Sequence, residues 1–293
     1  MPLTGIQSEM DYQLIKNWSF PEVDQTYSVN DSILYALGIG FGHEPTNPDH
    51  LKYVYEQDLQ AFPTMAVVLG YPGFWMKDPQ AGINWVKLVH GEQRLNIHRP
   101  LPTSGRVIGR TRISHVIDKG ADKGALVISE RTLKDTEGNL LVTISQTTFC
   151  RGDGGLSQSD EGPPALQATP ERTPDIICAI PTLPQAALIY RLCADNNPLH
   201  ADPAVAAKAG YPRPILHGLC TYGVAARAIV QAACDNDATR LTSLHTRFSS
   251  PVFPGETLVC EIWREGAEAV RFRAKVAERD IVVLSHGFAG IKA

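Results

Sequence analysis

The chain has 293 residues, 43% hydrophobic and 20% charged, with a formal net charge of -4. At about 150 residues per domain, two units are expected, each long enough to bury its own core. The slight acidic balance excludes a phosphate-backbone binder, which needs clustered Lys and Arg, and no run of about 18 apolar residues offers a membrane-spanning helix.

The opening ten residues lack the basic-then-apolar order of a secretory signal, so none is expected. The closing Gly290-Ile291-Lys292-Ala293 differs from a Ser-Lys-Leu peroxisomal address. The cysteines (Cys150, Cys178, Cys193, Cys220, Cys234 and Cys260) include no C-x-x-C pair. They are expected as free thiols of a cytoplasmic protein. None has metal-ligand spacing, so no metal is expected.

In chain order, a helix-like run at 33–40 comes first. Thr64-Met65-Ala66-Val67-Val68-Leu69 reads as the opening of a helix. Strand-like runs follow at 107–116, 125–133 and 140–149. Residues 151–174 are rich in Gly, Ser and Pro and lack hydrophobic periodicity, which marks a linker. A second helix-like run lies at 188–195. The clearest helix follows His217-Gly218: Leu219, Tyr222, Gly223, Ala226, Ile229, Val230 and Ala233 form an apolar face at helical period, ending near Asp235-Asn236. Strand-like runs close the chain at 257–263, 269–276 and 281–288.

The two halves resemble each other. Tyr35 and Leu37 fall on Tyr190 and Leu192 at one offset, and Pro100-Leu101-Pro102-Thr103-Ser104-Gly105 recurs loosely as Pro251-Val252-Phe253-Pro254-Gly255. Agreement of order, spacing and residue type points to a duplication. Each half reads as one long helix followed by antiparallel strands, an α+β layer. The units are 1–150 and 175–293, with 151–174 between them.

Chemistry concentrates in Asp195-Asn196-Asn197-Pro198-Leu199-His200. An acid and an imidazole stand five residues apart, and Asn-Pro favours a turn between them. A turn can face both groups into one cavity, the arrangement that adding or eliminating water requires. Asp195 as an Asx-turn device and His200 as a capped loop residue is the structural alternative. The first half has Gly40 at the position of Asp195, so the acid occurs in one copy only. His43, Glu44 and His50 follow it at a different spacing. The second feature is Gly218 at the head of the long helix, where unpaired N–H groups and the helix dipole favour negative charge. An oxyanion donor is typically worth about 2.7–4 kcal/mol. An ordinary helix start is the alternative there too. Gly38, Gly40 and Gly42 could clear room for an acyl chain. They follow a helix-like run, not a strand, and so are no dinucleotide fingerprint.

Residues 186–200 with Pro214-Ile215-Leu216-His217-Gly218-Leu219-Cys220-Thr221-Tyr222-Gly223 resemble the hydratase 2 motif of the MaoC-like enoyl-CoA hydratases. Phe62-Pro63-Thr64-Met65, His90-Gly91-Glu92-Gln93, Asp118-Lys119-Gly120, Arg247-Phe248 and Pro251-Val252-Phe253-Pro254-Gly255 resemble the (R)-specific hydratase unit of peroxisomal multifunctional enzyme type 2. The resemblance covers nearly the whole chain. It implies a double hotdog fold, each long helix wrapped by an antiparallel sheet; the room that Gly38, Gly40 and Gly42 could clear would make the first unit the one that accommodates the acyl chain. It also implies an acyl-CoA substrate, no cofactor and a homodimer. By the same resemblance Asp195 and His200 are the acid/base pair, Asn197 positions the water, and the Gly218 N–H polarises the thioester carbonyl. His90, Gly91, Lys119 and Phe248 would line the acyl-CoA site. Ala194 stands where many members carry Gly, which would stiffen the loop. The implied reaction is reversible hydration of trans-2-enoyl-CoA to the (3R)-hydroxyacyl-CoA. A pathway-specific dehydratase, a hotdog thioesterase and a non-catalytic acyl-CoA-binding protein are the alternatives.

Overall fold

A computed structural model describes residues 10–193 and 195–292. The expectations placed on residues 1–9, Ala194 and Ala293 lie outside the described residues. The first half holds α1 (Tyr12–Lys16), β1 (Val23–Tyr27), α2 (Val29–Gly38), α3 (Pro48–Val54), β2 (Leu88–Ile97), β3 (Gly105–Asp118), β4 (Ala125–Lys134) and β5 (Leu140–Cys150). The second holds β6 (Ile176–Pro181), α4 (Ala186–Tyr190), α5 (Pro203–Lys208), α6 (Gly218–Ala233), β7 (Leu241–Phe248), β8 (Thr257–Arg264), β9 (Ala269–Val276) and β10 (Ile281–Ile291).

The strands form one antiparallel sheet in the order β1-β3-β4-β5-β2-β7-β10-β9-β8-β6. Read inward from either edge, the halves repeat one topology: β6 answers β1, β8 answers β3, and β7 answers β2. The duplication visible in the sequence is thus a repetition in space, and the architecture is a double hotdog. The halves meet at β2 and β7, where Leu95 lies opposite Leu244 and Glu92 opposite Arg247. Glu92 pairs with Arg247 at 2.7 Å across the seam and with Arg94 at 3.0 Å on its own strand.

Local chemistry explains the elements. Ser28 and Asp31 form a reciprocal capping box that starts α2. Burial along β9 alternates strictly, as a strand with one covered face requires. α6 is buried almost all round and rich in Ala and Gly, so it packs closely as an interior helix does. A Cβ on Gly223 would lie 2.5 Å from Ile39 Cγ2, so this glycine lets the end of α2 approach α6.

Two expectations change. Residues 64–69 open no long helix. Pro63–Val68 is a single 3₁₀ segment ending in an extended Leu69, followed by Gly70 at φ +58. The β-branched Val67-Val68 pair and the glycine stop propagation, and Arg131 on β4 donates to the Val67 carbonyl at 2.6 Å, pinning the segment. The first half therefore has no counterpart of α6. Side-chain periodicity does not mark strands β1, β2, β6 and β7. β2 and β7 carry Glu92, Arg94, His245 and Arg247 at the seam, where partners across the join replace apolar alternation. Residues 151–174 contain no helix or strand. They are nonetheless anchored, because Asp160 accepts from the Val116 N–H at 2.8 Å and the Tyr12 hydroxyl at 2.6 Å and pairs with Lys16.

Candidate active site

The loop after α4 turns as its sequence requires. Asp195 Oδ1 accepts from the Asn197 N–H at 3.0 Å. Asn197 Oδ1 accepts from the Leu199 N–H at 3.1 Å and caps a 3₁₀ turn, Pro198–His200. This turn carries His200 into the interior, where 8% of its surface remains exposed. The Asx-turn reading of Asp195 is thus realised through one carboxylate oxygen.

His200 Nδ1 lies 2.8 Å from the Ile215 carbonyl. A carbonyl only accepts, so Nδ1 carries the proton and Nε2 of the neutral ring is an open base. Burial pushes the pKa of His200 down. The His217 ring stacks on it at 3.8 Å with 30° between planes. By the same logic His217 Nε2, 3.1 Å from the Asp195 carbonyl, is a donor. Its Nδ1 is buried without a partner. Burial, and then the neighbouring His200, push its pKa down to about 4.

Asp195, His200 and His217 each offer one ligand atom within 4.8 Å of the others. An acid and two imidazoles form a donor set for a divalent metal. The stacking argues against that use. Imidazole lone pairs lie in the ring planes, and two stacked planes only 30° apart do not converge at a point about 2.1 Å from both nitrogens. The trio fits proton transfer better than metal binding.

Gly218 follows His217 directly and is the first residue of α6, so its N–H has no intrahelical acceptor. A Cβ there would meet the Phe248 ring at 3.3 Å. Phe248 in turn lies 4.4 Å from the His90 ring. His90 is pushed to about 4 by burial, and Asp195 is close enough to act on it in the opposite direction. The β2–β5 register slips between His90 and Glu92, so Gly91 sits in a bulge that re-aims His90. Asp195, His200, Gly218, Phe248 and His90 therefore form one connected group. Lys119 lies apart in the exposed β3–β4 turn, where its N–H donates to Gly124. That turn is at the His90 end of the sheet, three strands away and three residues further along. Asn197 is exposed and its side-chain oxygen is engaged in the cap.

The other candidates resolve into packing. His50 lies 3.2 Å from Arg227 Nη2, beside Phe41. Gly38 and Gly40 line a small cleft with Ala186, Cys220 and Val224, and Gly42 lies outside it. A Cβ on Gly40 would meet Arg227 Nη1 at 3.0 Å, one on Gly38 would touch Tyr190, and one on Gly42 would touch Leu37. Gly40 also has φ +90, which a side chain disfavours. A separate cleft, open to solvent, lies between β1, α2 and the 3₁₀ segment. Its walls include Tyr35, Met65, Val68 and Cys193.

Residues 165–285 match the MaoC like domain, and residues 25–152 match the MFE-2 hydratase 2 N-terminal domain. Over 281 residues the chain is 40% identical to the enoyl-CoA hydratase ChsH3 of Mycobacterium tuberculosis, covering 94% of this chain and 97% of the relative. The chain belongs to the MaoC-like hydratase 2 family. Within this family it is 39% identical over 309 residues to the peroxisomal enoyl-CoA hydratase 2 of Arabidopsis thaliana, covering 97% and 96% of the two chains. A crystal structure of a MaoC-like dehydratase from Phytophthora capsici superposes with a TM-score of 0.86 at 35% identity, covering 97% of this chain and 99% of that one. The hydratase 2 motif left His217 without a role of its own. The signal available was its place before a glycine at a helix start that lacks a Ser, Thr, Asp or Asn cap.

Proposed function

We propose that this protein catalyses the reversible hydration of trans-2-enoyl-CoA to (3R)-3-hydroxyacyl-CoA. The observation that carries the reading is the meeting of the Asp195 carboxylate and the His200 imidazole within 4.8 Å, beside the head of α6. Water held between the two loses a proton to one of them as its oxygen bonds to the β-carbon. The C=C π pair shifts toward the thioester, whose oxygen gains negative charge and is met by the Gly218 N–H. The other group of the pair, or the same one, returns a proton to the α-carbon. No electrons leave the system, so the reaction needs no redox cofactor.

His90, Gly91 and Phe248 would line the thioester and pantetheine path, and Asn197 Nδ2 is available to the attacking water. Lys119, some way off, suits the phosphates of CoA. The acyl tail would run into the cleft walled by Val68 and Cys193, two residues from Asp195. The first half then serves the chain and the second the chemistry. No helix among the described residues is long and apolar enough to cross a membrane, and six free cysteines suit a reducing compartment such as the cytoplasm. We also propose a homodimer, supported by exposed Leu37 on α2, Leu188 on α4 and Leu192 just past the end of α4, the two helices being packed together.

Loss of enoyl absorbance with crotonyl- and decenoyl-CoA, followed by chiral analysis of the product, tests the reading. Asp195→Asn and His200→Gln should each lower kcat by about 10²–10⁴-fold with the fold intact. Near-normal turnover in either defeats the assignment. Release of free CoA thiol would point to a thioesterase, and binding with unchanged absorbance to a carrier.

A further inference from the structure

His217 is the residue that the proposed reaction leaves unused. It is the N-cap of α6, yet its side chain makes no cap hydrogen bond. A Ser or Asp in its place would satisfy one of the first N–H groups of the helix. His217 leaves those groups free and reaches sideways. Its Nε2–H is given to the Asp195 carbonyl at 3.1 Å, its face covers the His200 ring at 3.8 Å, and its peptide bond leads into Gly218. One side chain, 1% exposed, therefore touches or adjoins all three groups of the site.

We propose that His217 is a positioning residue for the hydration, clamping the Asp195 loop to the head of α6 and supplying the surface against which the His200 ring is held. This rests on the hydratase reading. The Asx turn to the Asn197 N–H and the Asn197 cap are bonds within the Asp195 loop, and neither reaches α6. Displacing a reacting group by about 1 Å can cost about 10²-fold in rate.

The clamp also dictates a protonation state. Of the two neutral tautomers only the Nε2–H form can donate to a carbonyl, which leaves Nδ1 bare, and Nδ1 is buried with no donor to meet it. The titratable and charged groups around the ring are His200 and Asp195 from the loop, Tyr190 from α4 at 5.0 Å between ring centres, and Arg191 beyond it. His200 and Arg191 oppose a proton on His217, and Asp195 favours one. Burial decides the balance and keeps the ring neutral. A neutral face lets His200 take up a proton during turnover without a second positive charge stacked on it.

Three variants separate the contributions. His217→Gln keeps an N–H near the position of Nε2. His217→Phe keeps a ring against His200 and loses the donor, and His217→Ala loses both. With crotonyl-CoA, the Phe variant should lose about 10²-fold in kcat and the Ala variant more than that, with KM changed by no more than about twofold, the pattern of an interaction that matters in the transition state. The Gln variant should recover to within about tenfold of the parent enzyme, since it restores one hydrogen bond. A Phe variant as fast as the parent, or a Gln variant as slow as Phe, overturns the proposal.

Should the Phe and Ala variants fail to fold, imidazole nitrogen NMR of the unaltered protein decides. Expected is one histidine, assigned by its loss in the Gln variant, that is protonated on Nε2 and titrates far below the usual ~6.5 of imidazole. An Nδ1–H tautomer, or titration near ~6.5, refutes the clamp. If the unaltered protein hydrates no enoyl-CoA, the hydratase reading falls by itself, and the NMR result still judges the geometry.

Discussion

Asp195 illustrates how one residue serves structure and chemistry together. One carboxylate oxygen closes an Asx turn with the Asn197 N–H, and its backbone carbonyl accepts a hydrogen bond from His217. The side chain still has a second oxygen for a proton in transit. The histidines divide in the same way, with one nitrogen held by a carbonyl in both His200 and His217. Burial lowers their pKa values, and lowers His90 and His245 to about 4. The sign of the consequence is definite. An unfolded chain protonates these rings near ~6.5, whereas the folded chain holds them neutral to about 4, so the unfolded state binds more protons between those limits. Stability is complete above about pH 6.5 and falls as the pH drops through that window. The melting temperature should hold level between about pH 8 and 7 and decline steadily below about 6.5. His245→Gln, at the seam beside Asn96, should flatten that decline, and a melting temperature that rises on acidification would contradict it.

Among the elements, the contrast between α6 and the 3₁₀ segment Pro63–Val68 matters most. Both begin at matched places in the duplicated plan, and only α6 propagates. The period of Leu219, Tyr222, Ala226 and Ile229 made α6 legible, because an interior helix repeats its apolar face. The short segment is not legible in the same way, because Met, Ala and Val are apolar in either state, and a run of six carries too little periodicity to separate a helix from a single turn. Its early end leaves the cleft between α2, β1 and Cys193. If the acyl tail lies there, Val68→Trp should lower kcat/KM for decenoyl-CoA by about tenfold or more, the cost of overpacking a fitted wall. Crotonyl-CoA, too short to reach it, should be hydrated as before. Equal losses on both substrates would place the tail elsewhere.

For the whole molecule, the sheet is continuous across the seam, so the two halves share one core and the Glu92–Arg247 pair bridges them. That part-exposed pair contributes about 0–1 kcal/mol, far less than the apolar residues packed beneath it. The exposed apolar residues on α2 and α4 are a different matter. Leu188 on α4 is 55% exposed and Leu192, two residues past its end, is 62% exposed, and α4 packs against α2. If this face joins two copies, Leu188→Glu should convert a dimer to a monomer in light scattering after gel filtration, because a buried unpaired carboxylate is costly. A parent protein that is monomeric at micromolar concentration, or a Glu variant that remains a dimer, excludes this face.

The sequence alone determined the duplication, the strongly periodic helix α6, six of the strands and the short string that carries both Asp195 and His200. These are local properties, set by side-chain period and by turn chemistry, and they need no distant partner. Tertiary structure alone decided that the first half would lack a long helix, that β2 and β7 would join the halves, and that His217 would lie over His200. Each of these depends on contacts between residues far apart in the chain: a guanidinium from β4 on the Val67 carbonyl, charges paired across a seam, a ring from the head of one helix against the loop that follows another. Such contacts leave no period in the sequence, since the partners are chosen by the fold that brings them together.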